Sequence, residues 1–596
     1  MGVDAAVVAV AYLAALLLRF EGSVPSDQLQ SYYATILPIV VAYIAANYFF
    51  GLYQRVWRYA SSLEVSAIIG SVGVTTVLLT AADLLWAGER PLPLSIPISG
   101  GIFTLAALTA VRYRRRLLTG LLWRWKAVTK GYGNRVLIIG AGEEAQLLGW
   151  RLKVQGDDYH VVGYLDDDPS KQGLNIHGAK VLGARQDVQA VAVQHQVDTI
   201  IVAIDEITGD DVQEIMGLCE KTRAKIKIAP SLFSFMEGSE GQPLVRDVSV
   251  EDLLARESVH LDSDMCRKLL AGKVVLVTGA AGSIGSELCR QIINFQPVSL
   301  LMLDNNETGL NDLEIELFSQ GNDTAHKILV GDILRARRME SLWATYKPQI
   351  VFHCAAYKHV PLMEEAPCEA VLVNLKGTQV LAELSWKYRV ERFVFISTDK
   401  AVEPAGVMGA TKSLAESLIL SMPSNQASFF TAVRFGNVLN SRGSVVPLFL
   451  KQIDQGGPVT VTDKEMTRFL MGLSEAVSLV IQAATYTQGG DVFMLNMGQP
   501  IKISDLASKL IRLRGLRVDE DIAIVFTGAR AGEKITESLV APGEEVIPTS
   551  HPHIFRLMSR NGMDRDALIE HVGNLISLAD SEREEELVAS LLDRKL

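Results

Sequence analysis

The sequence has little cysteine and no excess of positive charge. Its 596 residues include five cysteines, and no two of them form a Cys-x-x-Cys pair. This distribution gives neither a metal-binding signature nor a disulfide framework, and it suits a reducing compartment. The formal net charge of −11 argues against a nucleic-acid-binding protein, because such proteins are normally basic. At this length, the chain is expected to form several domains.

Long apolar runs are concentrated at the N-terminus, where they account for a high mean hydropathy of +0.21. All but the first approach the roughly 20 residues that a membrane-spanning helix needs, and Arg19 would snorkel to extend the first. A signal peptide is disfavoured, because the first run lacks a basic flank and a clear cleavage site. We therefore expect four transmembrane helices within residues 1–111. The runs are approximately Val3–Leu18, Tyr33–Leu52, Val65–Ala87 and Leu92–Val111.

Arginine and lysine are distributed unevenly around these runs. Arg55 and Arg58 follow the second run and a basic segment, 112–131, follows the fourth, whereas the other two loops have only Arg19 and Arg90. By the positive-inside rule, both termini and everything after the fourth run face the cytoplasm. The basic segment also suits contact with anionic lipid, and its "LLWRWKAV" stretch suits the membrane interface.

A glycine turn follows the membrane part, in "NRVLIIGAGEEAQLLGWRL". Gly140, Gly142 and Ala145 match GxGxxA between a predicted strand and a predicted helix, which is typical of dinucleotide-binding units. Further buried-strand patterns predict a Rossmann-like domain over residues 132–230. A single turn of this kind leaves open whether the domain binds a nucleotide. Residues 231–272 are predicted to form an ordered connecting segment.

A second glycine turn is far more specific, in "GKVVLVTGAAGSIGSELCRQI". Gly279, Gly282 and Gly285 have TGxxGxxG spacing between a buried strand and a helix, whose first N–H groups would hold a pyrophosphate. Asp304 ends the next strand, where a carboxylate bonds the adenosine ribose and favours NAD over NADP. Small residues at a later strand end would let the cofactor lie close. The other expected cofactor-binding residues are Ser283, Ile284, Asp332, Ile333, Ala355 and Ala356.

Several segments between Val277 and Leu539 carry a family resemblance: "VTGAAGSIGSELCRQI", "HCAAYKHVPLMEE", "VNLKGT", "FISTDKAVEPAGVMGATK", "RFGNVLNSRGSVVPLF", "VTDKEMTRFLM" and "ARAGEKITESL". The chain resembles the extended short-chain dehydrogenase/reductases and, more closely, the membrane-bound UDP-N-acetylglucosamine 4,6-dehydratases of bacterial polysaccharide biosynthesis. This resemblance implies an α/β protein: four transmembrane helices, then two Rossmann-like domains. The second, over residues 273–596, would be catalytic and would include a small C-terminal substrate lobe.

The resemblance also implies a location and partners. It predicts a multi-pass protein of the bacterial inner membrane, with the catalytic domains in the cytoplasm, NAD as cofactor and UDP-N-acetylglucosamine as substrate. A homo-oligomer is expected, because extended reductases commonly pair through helices. No role in nucleic-acid binding is expected.

The implied reaction is redox-neutral. NAD takes hydride from C4 of the hexose, the resulting ketone acidifies C5–H, water is lost across C5–C6, and hydride returns to C6. By the resemblance, Asp399 is the acid at the C6 hydroxyl, Lys400 the base at C5, and Thr398 a partner of the 4-hydroxyl. Because consecutive residues at a strand end tend to point in opposite directions, we expect Asp399 and Lys400 to meet different faces of the sugar.

One position departs from the usual reductase pattern. Most members of the superfamily have a tyrosine base four residues before the lysine, whereas this chain has Met408 four residues before Lys412. A thioether accepts no proton at a useful pH, but the membrane-bound dehydratases resemble this chain in carrying the same methionine. Lys412 is expected to hold the nicotinamide ribose. The acceptor of the 4-hydroxyl proton stays open.

The diphosphate and the sugar need further partners. Guanidinium groups suit phosphate, and several arginines lie within the matching segments. Glu533 is assigned to the uridine ribose and Lys358 to the sugar. The candidates for the diphosphate are Asn437, Arg442, Arg468 and Arg530.

Three other functions remain alternatives. A sugar-nucleotide 4-epimerase shares the fold and the cofactor, but it normally uses the missing tyrosine. A phosphoglycosyl transferase acting on a lipid carrier has a similar front half, but its catalytic module is not evident. A non-catalytic scaffold is favoured only if NAD does not bind.

Overall fold

The computed structural model forms two compact units, Met1–Tyr132 and Gly133–Leu596. The predicted topology residues Arg55, Arg58 and Lys130, and the side chains of 114–129, lie outside the described part of the chain. The structure describes all residues except 55–61, 87–89, 130–132, 156–158, 205–206, 208, 220–221, 223, 230–244, 249–250, 255–260, 320–324, 424–427, 560–563 and 594–596.

The first unit contains four helices that are long and apolar enough to cross a membrane. Each overlaps one of the predicted runs, although the second begins earlier than expected. The fourth continues into the basic segment as far as Thr129, and residues 112–129 contain no proline that would break the helix. The helices are α1 (Gly2–Arg19), α2 (Ser26–Phe49), α3 (Ser62–Leu84) and α4 (Ser95–Thr129).

A buried polar cluster joins the helices of this unit. Asp4 forms an ion pair with Arg112, and the two side chains are only 8% and 7% exposed. Asp4 also accepts hydrogen bonds from Asn47 Nδ2 (3.2 Å) and the Tyr53 hydroxyl (2.9 Å). Ser71 donates to Asn47 Oδ1. Ionisable groups among apolar helices are stable only with such partners, so the cluster fixes α1 against α2 and α4.

The second unit begins with a Rossmann-like sheet, in the order β3-β4-β2-β1-β5-β6-β7. The pairs β3–β4 and β6–β7 are antiparallel and the other pairs are parallel. The last strand, β7, lies inside the predicted connecting segment, so this sheet extends past residue 230. The elements are β1 (Asn134–Ile139), α5 (Glu143–Gln155), β2 (Tyr159–Leu165), β3 (Asn175–Ile176), β4 (Ala179–Gly183), α6 (Val188–Gln194), β5 (Thr199–Val202), α7 (Gly209–Cys219), β6 (Lys225–Ile228) and β7 (Arg246–Asp247).

A larger sheet follows, and its described strands have the order β10-β9-β8-β11-β12-β13-β18-β22-β21. The strands from β10 to β18 are parallel and fully apolar at their centres, as expected for a sheet covered on both faces. The strands are β8 (Val274–Thr278), β9 (Ser299–Asp304), β10 (His326–Val330), β11 (Ile350–His353), β12 (Arg392–Thr398), β13 (Phe429–Phe435), β18 (Asp491–Leu495), β21 (Glu544–Pro548) and β22 (Ile554–Ser559).

Helices cover both faces of this sheet. On one face, α8 packs its Cys266 and Leu270 into the same core as β8, so the predicted connecting segment ends inside the fold of the larger sheet. The helices are α8 (Ser263–Leu270), α9 (Ser283–Ile292), α10 (Glu307–Ser319), α11 (Ala336–Tyr346), α12 (Val360–Glu365), α13 (Pro367–Val371), α14 (Gly377–Lys387), α15 (Val407–Ser421) and α17 (Leu473–Tyr486), with a π-helix at Leu372–Lys376 and 3₁₀ turns at Arg185–Asp187, Glu251–Leu254, Ile293–Phe295 and Asp399–Ala401.

A small lobe and a helical hairpin complete the unit. The lobe has its own apolar core, which includes Phe449, Val461 and Leu510. The hairpin packs Leu575 and Leu587 into the core beside α13 and α15. The fold class expected from the sequence is therefore confirmed. The lobe elements are β14 (Asn437–Val438), α16 (Val445–Asp454), β15 (Val459–Val461), β16 (Thr467–Arg468), β17 (Leu470–Met471), β19 (Ile501–Lys502), α18 (Ile503–Leu513) and β20 (Ile524–Phe526), and the hairpin helices are α19 (Arg565–Asp580) and α20 (Glu584–Leu592).

Candidate active site

The second glycine turn lies where the strand order of the large sheet reverses, between β8 and β11. Gly279 has a φ of +69°, and a Cβ there would lie 2.7 Å from the backbone nitrogen of Ala355. A Cβ on Gly285 would lie 2.1 Å from the Gly279 carbonyl oxygen. Only glycine fits both positions, and Gly282 is the N-cap of α9. The turn thus presents backbone N–H groups at a topological switch point, where nucleotides bind in α/β sheets.

The other predicted cofactor residues surround this turn. The Asp304 carboxylate accepts hydrogen bonds from the backbone nitrogens of Ala281 and Asn306, both at 2.9 Å. Asp332 accepts one from Leu334 at 2.9 Å. Ile333 is buried, whereas Ser283, Ile284, Ala355 and Ala356 are half-buried. The structure therefore places the predicted set at or just after the carboxyl ends of four neighbouring strands, β8, β9, β10 and β11.

The end of β12 brings the predicted acid and base into contact. Residues 399–401 form a 3₁₀ turn, capped by the Thr398 side chain, so the alternation expected of a strand stops after Thr398. As a result, Lys400 Nζ lies 3.0 Å from Asp399 Oδ1. The expectation that these two side chains point to different sides is wrong. The Thr398 hydroxyl donates to the same Asp399 oxygen at 2.9 Å.

Lys400 is held by further acceptors. Its Nζ donates to Asn437 Oδ1 at 2.9 Å and lies 3.5 Å from Glu537 Oε1. Asp399 and Glu537 have side chains that are 0% and 2% exposed, whereas that of Lys400 is 22% exposed. The lysine thus links two buried carboxylates and has access to the space beside them.

Met408 and Lys412 both lie on α15. Met408 is 3% exposed and belongs to the main apolar core. Lys412 Nζ donates to the Ile396 carbonyl at 2.6 Å and lies 3.9 Å from the centre of the Phe395 ring. Burial lowers the pKa of Lys412 to about 7. A protonated Lys412 is therefore costly here unless a bound group compensates its charge.

A cavity of about 240 Å³ opens between the β12 end and the small lobe. Met408 forms part of its wall, as do polar residues from four separate segments. Arg468 is buried and bonds the Thr467 and Ile535 carbonyl oxygens, whereas Arg530 is exposed. The predicted residues that line the cavity are Lys400, Met408, Asn437, Arg468, Arg530 and Glu533.

Two predicted substrate residues lie elsewhere. Arg442 donates from its backbone to Ser283 Oγ at 2.9 Å and from its guanidinium to the Ala281 carbonyl at 3.2 Å. Lys358 Nζ donates to the Arg442 carbonyl at 2.7 Å, and burial lowers the pKa of Lys358. Both residues therefore sit at the glycine turn and not on the cavity wall.

Sequence reasoning missed several carboxylates in and around this cluster. Glu537 lines the cavity, and Glu364 Oε1 accepts from the Val407 nitrogen at 2.7 Å at the start of α15. Glu416 accepts from Ser397 at 2.5 Å and pairs with Arg434, which also pairs with Glu544 at 2.8 Å. Only the position of Glu537 in the matching segment "ARAGEKITESL" signalled its importance.

The glycine turn of the first Rossmann-like domain is arranged differently. Asp166 accepts from the Ala141 nitrogen at 2.7 Å, as Asp304 does in the second domain, but it also pairs with Lys171 at 3.1 Å. Glu143 and Glu144 occupy the first turn of α5, where negative charge opposes phosphate binding. Asp168 in "DDDPS" accepts from Ser170 in a local turn. Nucleotide binding by this domain stays an open prediction.

Two known protein families match separate parts of the chain. Residues 275–559 match the family described as polysaccharide biosynthesis protein, and residues 49–230 match the CoA-binding domain family. The chain is 37% identical over 523 residues to the probable polysaccharide biosynthesis protein EpsC of Bacillus subtilis, covering 87% of this chain and 86% of that protein. It is 39% identical over 515 residues to the capsular polysaccharide biosynthesis protein CapD of Staphylococcus aureus, covering 85% and 84%. The X-ray structure of Pen from Bacillus thuringiensis is 33% identical, has a TM-score of 0.45, and covers 51% of this chain and 98% of its own.

Proposed function

Because the chain belongs to the polysaccharide biosynthesis protein family, we propose that it catalyses the NAD-dependent 4,6-dehydration of UDP-N-acetylglucosamine. The product is the UDP-4-keto-6-deoxy sugar, for cell-surface polysaccharide or glycan synthesis. The observation that carries this proposal is the contact between Asp399 and Lys400 beside the cavity. An acid and a base in contact at a strand end suit an elimination, which needs both.

The contact between Asp399 and Lys400 offers a route to the protonation states that the elimination needs. The ordinary pKa values of aspartate and lysine side chains, about 3.9 and about 10.4, give a carboxylate and an ammonium, whereas the elimination needs a carboxylic acid and an amine. Transfer of one proton from Lys400 Nζ to Asp399 Oδ1, across 3.0 Å, produces both required forms at once.

The elimination then proceeds on the chain's own groups. Lys400 takes the proton from C5, and the electron pair of that C–H bond forms the C5–C6 double bond. The C6–O bond breaks, and Asp399 gives its proton to the departing oxygen, which leaves as water. Thr398, whose hydroxyl contacts Asp399 at 2.9 Å, hydrogen-bonds at the 4-oxygen.

The residues around the glycine turn fit NAD. The turn leaves no room for a Cβ on Gly279 or Gly285, and Asp304 provides a carboxylate for the adenosine ribose. Asp332, Ile333, Ala355 and Ala356 would line the adenine and ribose positions, and Lys412 would hold the nicotinamide ribose. When bound, NAD supplies the reversible hydride transfer, from C4 at the start and to C6 at the end.

The cavity wall fits the rest of the substrate. Arg468 and Arg530 would hold the diphosphate, Asn437 would help to position it, and Glu533 would accept from the uridine ribose. Lys358 and Arg442 lie at the glycine turn, so any contact that they make with the substrate would be made there. We further propose that the four helices span the bacterial inner membrane with the second unit in the cytoplasm, and that the protein is a homo-oligomer.

The test is to incubate the purified full-length protein with UDP-N-acetylglucosamine and to analyse the product by mass spectrometry. We expect a UDP-sugar lighter by one water, with no net change in NAD. A product of unchanged mass with inverted C4 would instead identify a 4-epimerase, and Met408 in place of the tyrosine base speaks against that result. If no UDP-sugar is altered and no NAD is released on denaturation, the proposed function is refuted.

A further inference from the structure

Glu537 combines burial with a place on the cavity wall. It lies in the segment between β20 and β21, and its side chain is 2% exposed although it lines the cavity. The segment is anchored on both sides of the cavity. Thr467 and Arg468 donate to the Ile535 carbonyl at 3.0 and 3.2 Å, and Lys534 Nζ donates to the Val402 carbonyl at 2.7 Å. The position of the carboxylate is therefore fixed by the fold.

The two oxygens of this carboxylate have different surroundings. Oε1 lies 3.5 Å from Lys400 Nζ and 3.7 Å from Arg468 Nε. Oε2 is buried and has no hydrogen-bond partner among the described residues. A buried acceptor without a donor is costly, so a donor from a bound molecule would be strongly favoured at Oε2.

The chemistry of the donor follows from that of the acceptor. A diphosphate offers only negatively charged acceptors at neutral pH, so it does not fit Oε2. The hexose of a sugar nucleotide offers hydroxyl groups and, when N-acetylated, an amide N–H. Lys400, the neighbour of Glu537, is also the residue assigned to the hexose. We infer that Glu537 is a sugar-binding residue, whose Oε2 accepts a hydrogen bond from the hexose of the substrate; this rests on the proposed function for the identity of that substrate.

The variant Glu537→Gln keeps one side-chain oxygen of residue 537 and replaces the other with an amide group. Glutamine has one acceptor oxygen and one amide donor group. When its oxygen faces Lys400 and Arg468, as those cations require, it presents N–H donors to the hexose in place of an acceptor. The shape is kept, and the hydrogen bond to the sugar is lost. The control is Glu465→Gln, which removes an exposed carboxylate that pairs only with Lys502 among the described residues.

The measurements are the kinetic constants for UDP-N-acetylglucosamine and the inhibition constant of UDP, which lacks the hexose. For Glu537→Gln we expect kcat/KM to fall about 10- to 100-fold, mainly through a higher KM. A loss of this size is typical when a hydrogen bond to a charged group is removed. The inhibition constant of UDP and the NAD content are expected to stay unchanged. The Glu465→Gln protein is expected to match the wild type in every constant.

Several outcomes overturn the inference. An unchanged KM refutes it, as does an equal loss of affinity for UDP, which would place Glu537 at the nucleotide. A fall in kcat alone would mean that Glu537 only positions Lys400. If the wild type binds UDP-N-acetylglucosamine without dehydrating it, the proposed reaction fails, and dissociation constants from calorimetry replace KM and the inhibition constant in the same comparison. If the wild type does not bind this ligand, both proposals fail.

Discussion

Replacement of Lys400 is expected to lower both the stability of the protein and its turnover, and the two losses can be measured separately. Lys400→Met keeps an unbranched side chain of almost the same length but removes the contacts of Nζ with Asp399, Asn437 and Glu537. Two carboxylates that are almost fully buried then lose the cation between them. Loss of one partner from a buried ion pair costs about 3–5 kcal/mol. Because Lys400 itself is 22% exposed, solvent screens part of the interaction, and we expect about 3 kcal/mol of lost stability.

The double variant Asp399→Asn/Lys400→Met tests the origin of this loss. It removes one of the two stranded carboxylates, so we expect it to recover about 1–2 kcal/mol relative to Lys400→Met. Turnover is not expected to recover, because the double variant has neither acid nor base. Each single variant, Lys400→Met and Asp399→Asn, is expected to lower turnover by about 10²- to 10⁴-fold while NAD binding survives.

The assay pairs denaturant unfolding of the detergent-solubilised protein with measurement of water loss from the substrate. If the double variant is no more stable than Lys400→Met, the two residues do not form the buried pair described above. If Lys400→Met turns over at a near-normal rate, the assigned base is wrong, and Lys412 or Lys358 becomes the leading candidate.

Three further predictions concern Met408, the cofactor and Lys412. Met408→Ala is expected to lower the free energy of unfolding by about 2–5 kcal/mol but to lower the turnover of the folded protein less than tenfold. A loss of turnover equal to that of Lys400→Met would assign the thioether a role at the sugar or the nicotinamide. Denaturation of the purified protein is expected to release NAD, and mainly NADP would contradict the assignment of Asp304. The pKa of Lys412 is lowered to about 7 in the folded protein, so between about pH 7 and pH 10.5 the unfolded chain binds more protons than the folded one. The stability of the cofactor-free protein is therefore expected to rise with pH across this window, and Lys412→Met is expected to lack the rise. Equal changes in unfolding free energy between pH 7 and 9.5 for the two proteins would contradict this prediction.

Sequence reasoning succeeded where the backbone alone determines the structure. The strand, the three glycines and the helix around Gly279 follow from local patterns, because a turn without room for Cβ atoms demands glycine wherever it occurs. The apolar runs likewise predict long helices, since hydropathy needs no knowledge of neighbours. The ends of α2 and α4 were less accurate, because helix boundaries depend on whether a polar segment continues the helix.

The site was less predictable, because it depends on contacts between distant segments. The rule of alternating strand residues failed at Asp399 and Lys400, since a 3₁₀ turn begins immediately after Thr398. Glu537 is far from Lys400 in the sequence, and the hydrogen bonds of its segment to Thr467, Arg468 and Val402 bring it to the cavity. Such contacts are set by tertiary packing and leave no periodic signal.

The same packing explains why a methionine is acceptable at a position where related reductases have a tyrosine. Met408 contributes apolar surface to the core and to the cavity wall, beside the proposed acid–base pair, in which Asp399 is fully buried. The elimination needs a carboxylic acid and an amine, and one proton transfer across the contact of Asp399 with Lys400 would supply both. A tyrosine would add a hydroxyl group to this wall, with hydrogen bonds of its own to satisfy. The thioether adds none, which fits the proposal that Asp399 and Lys400 carry the proton transfers.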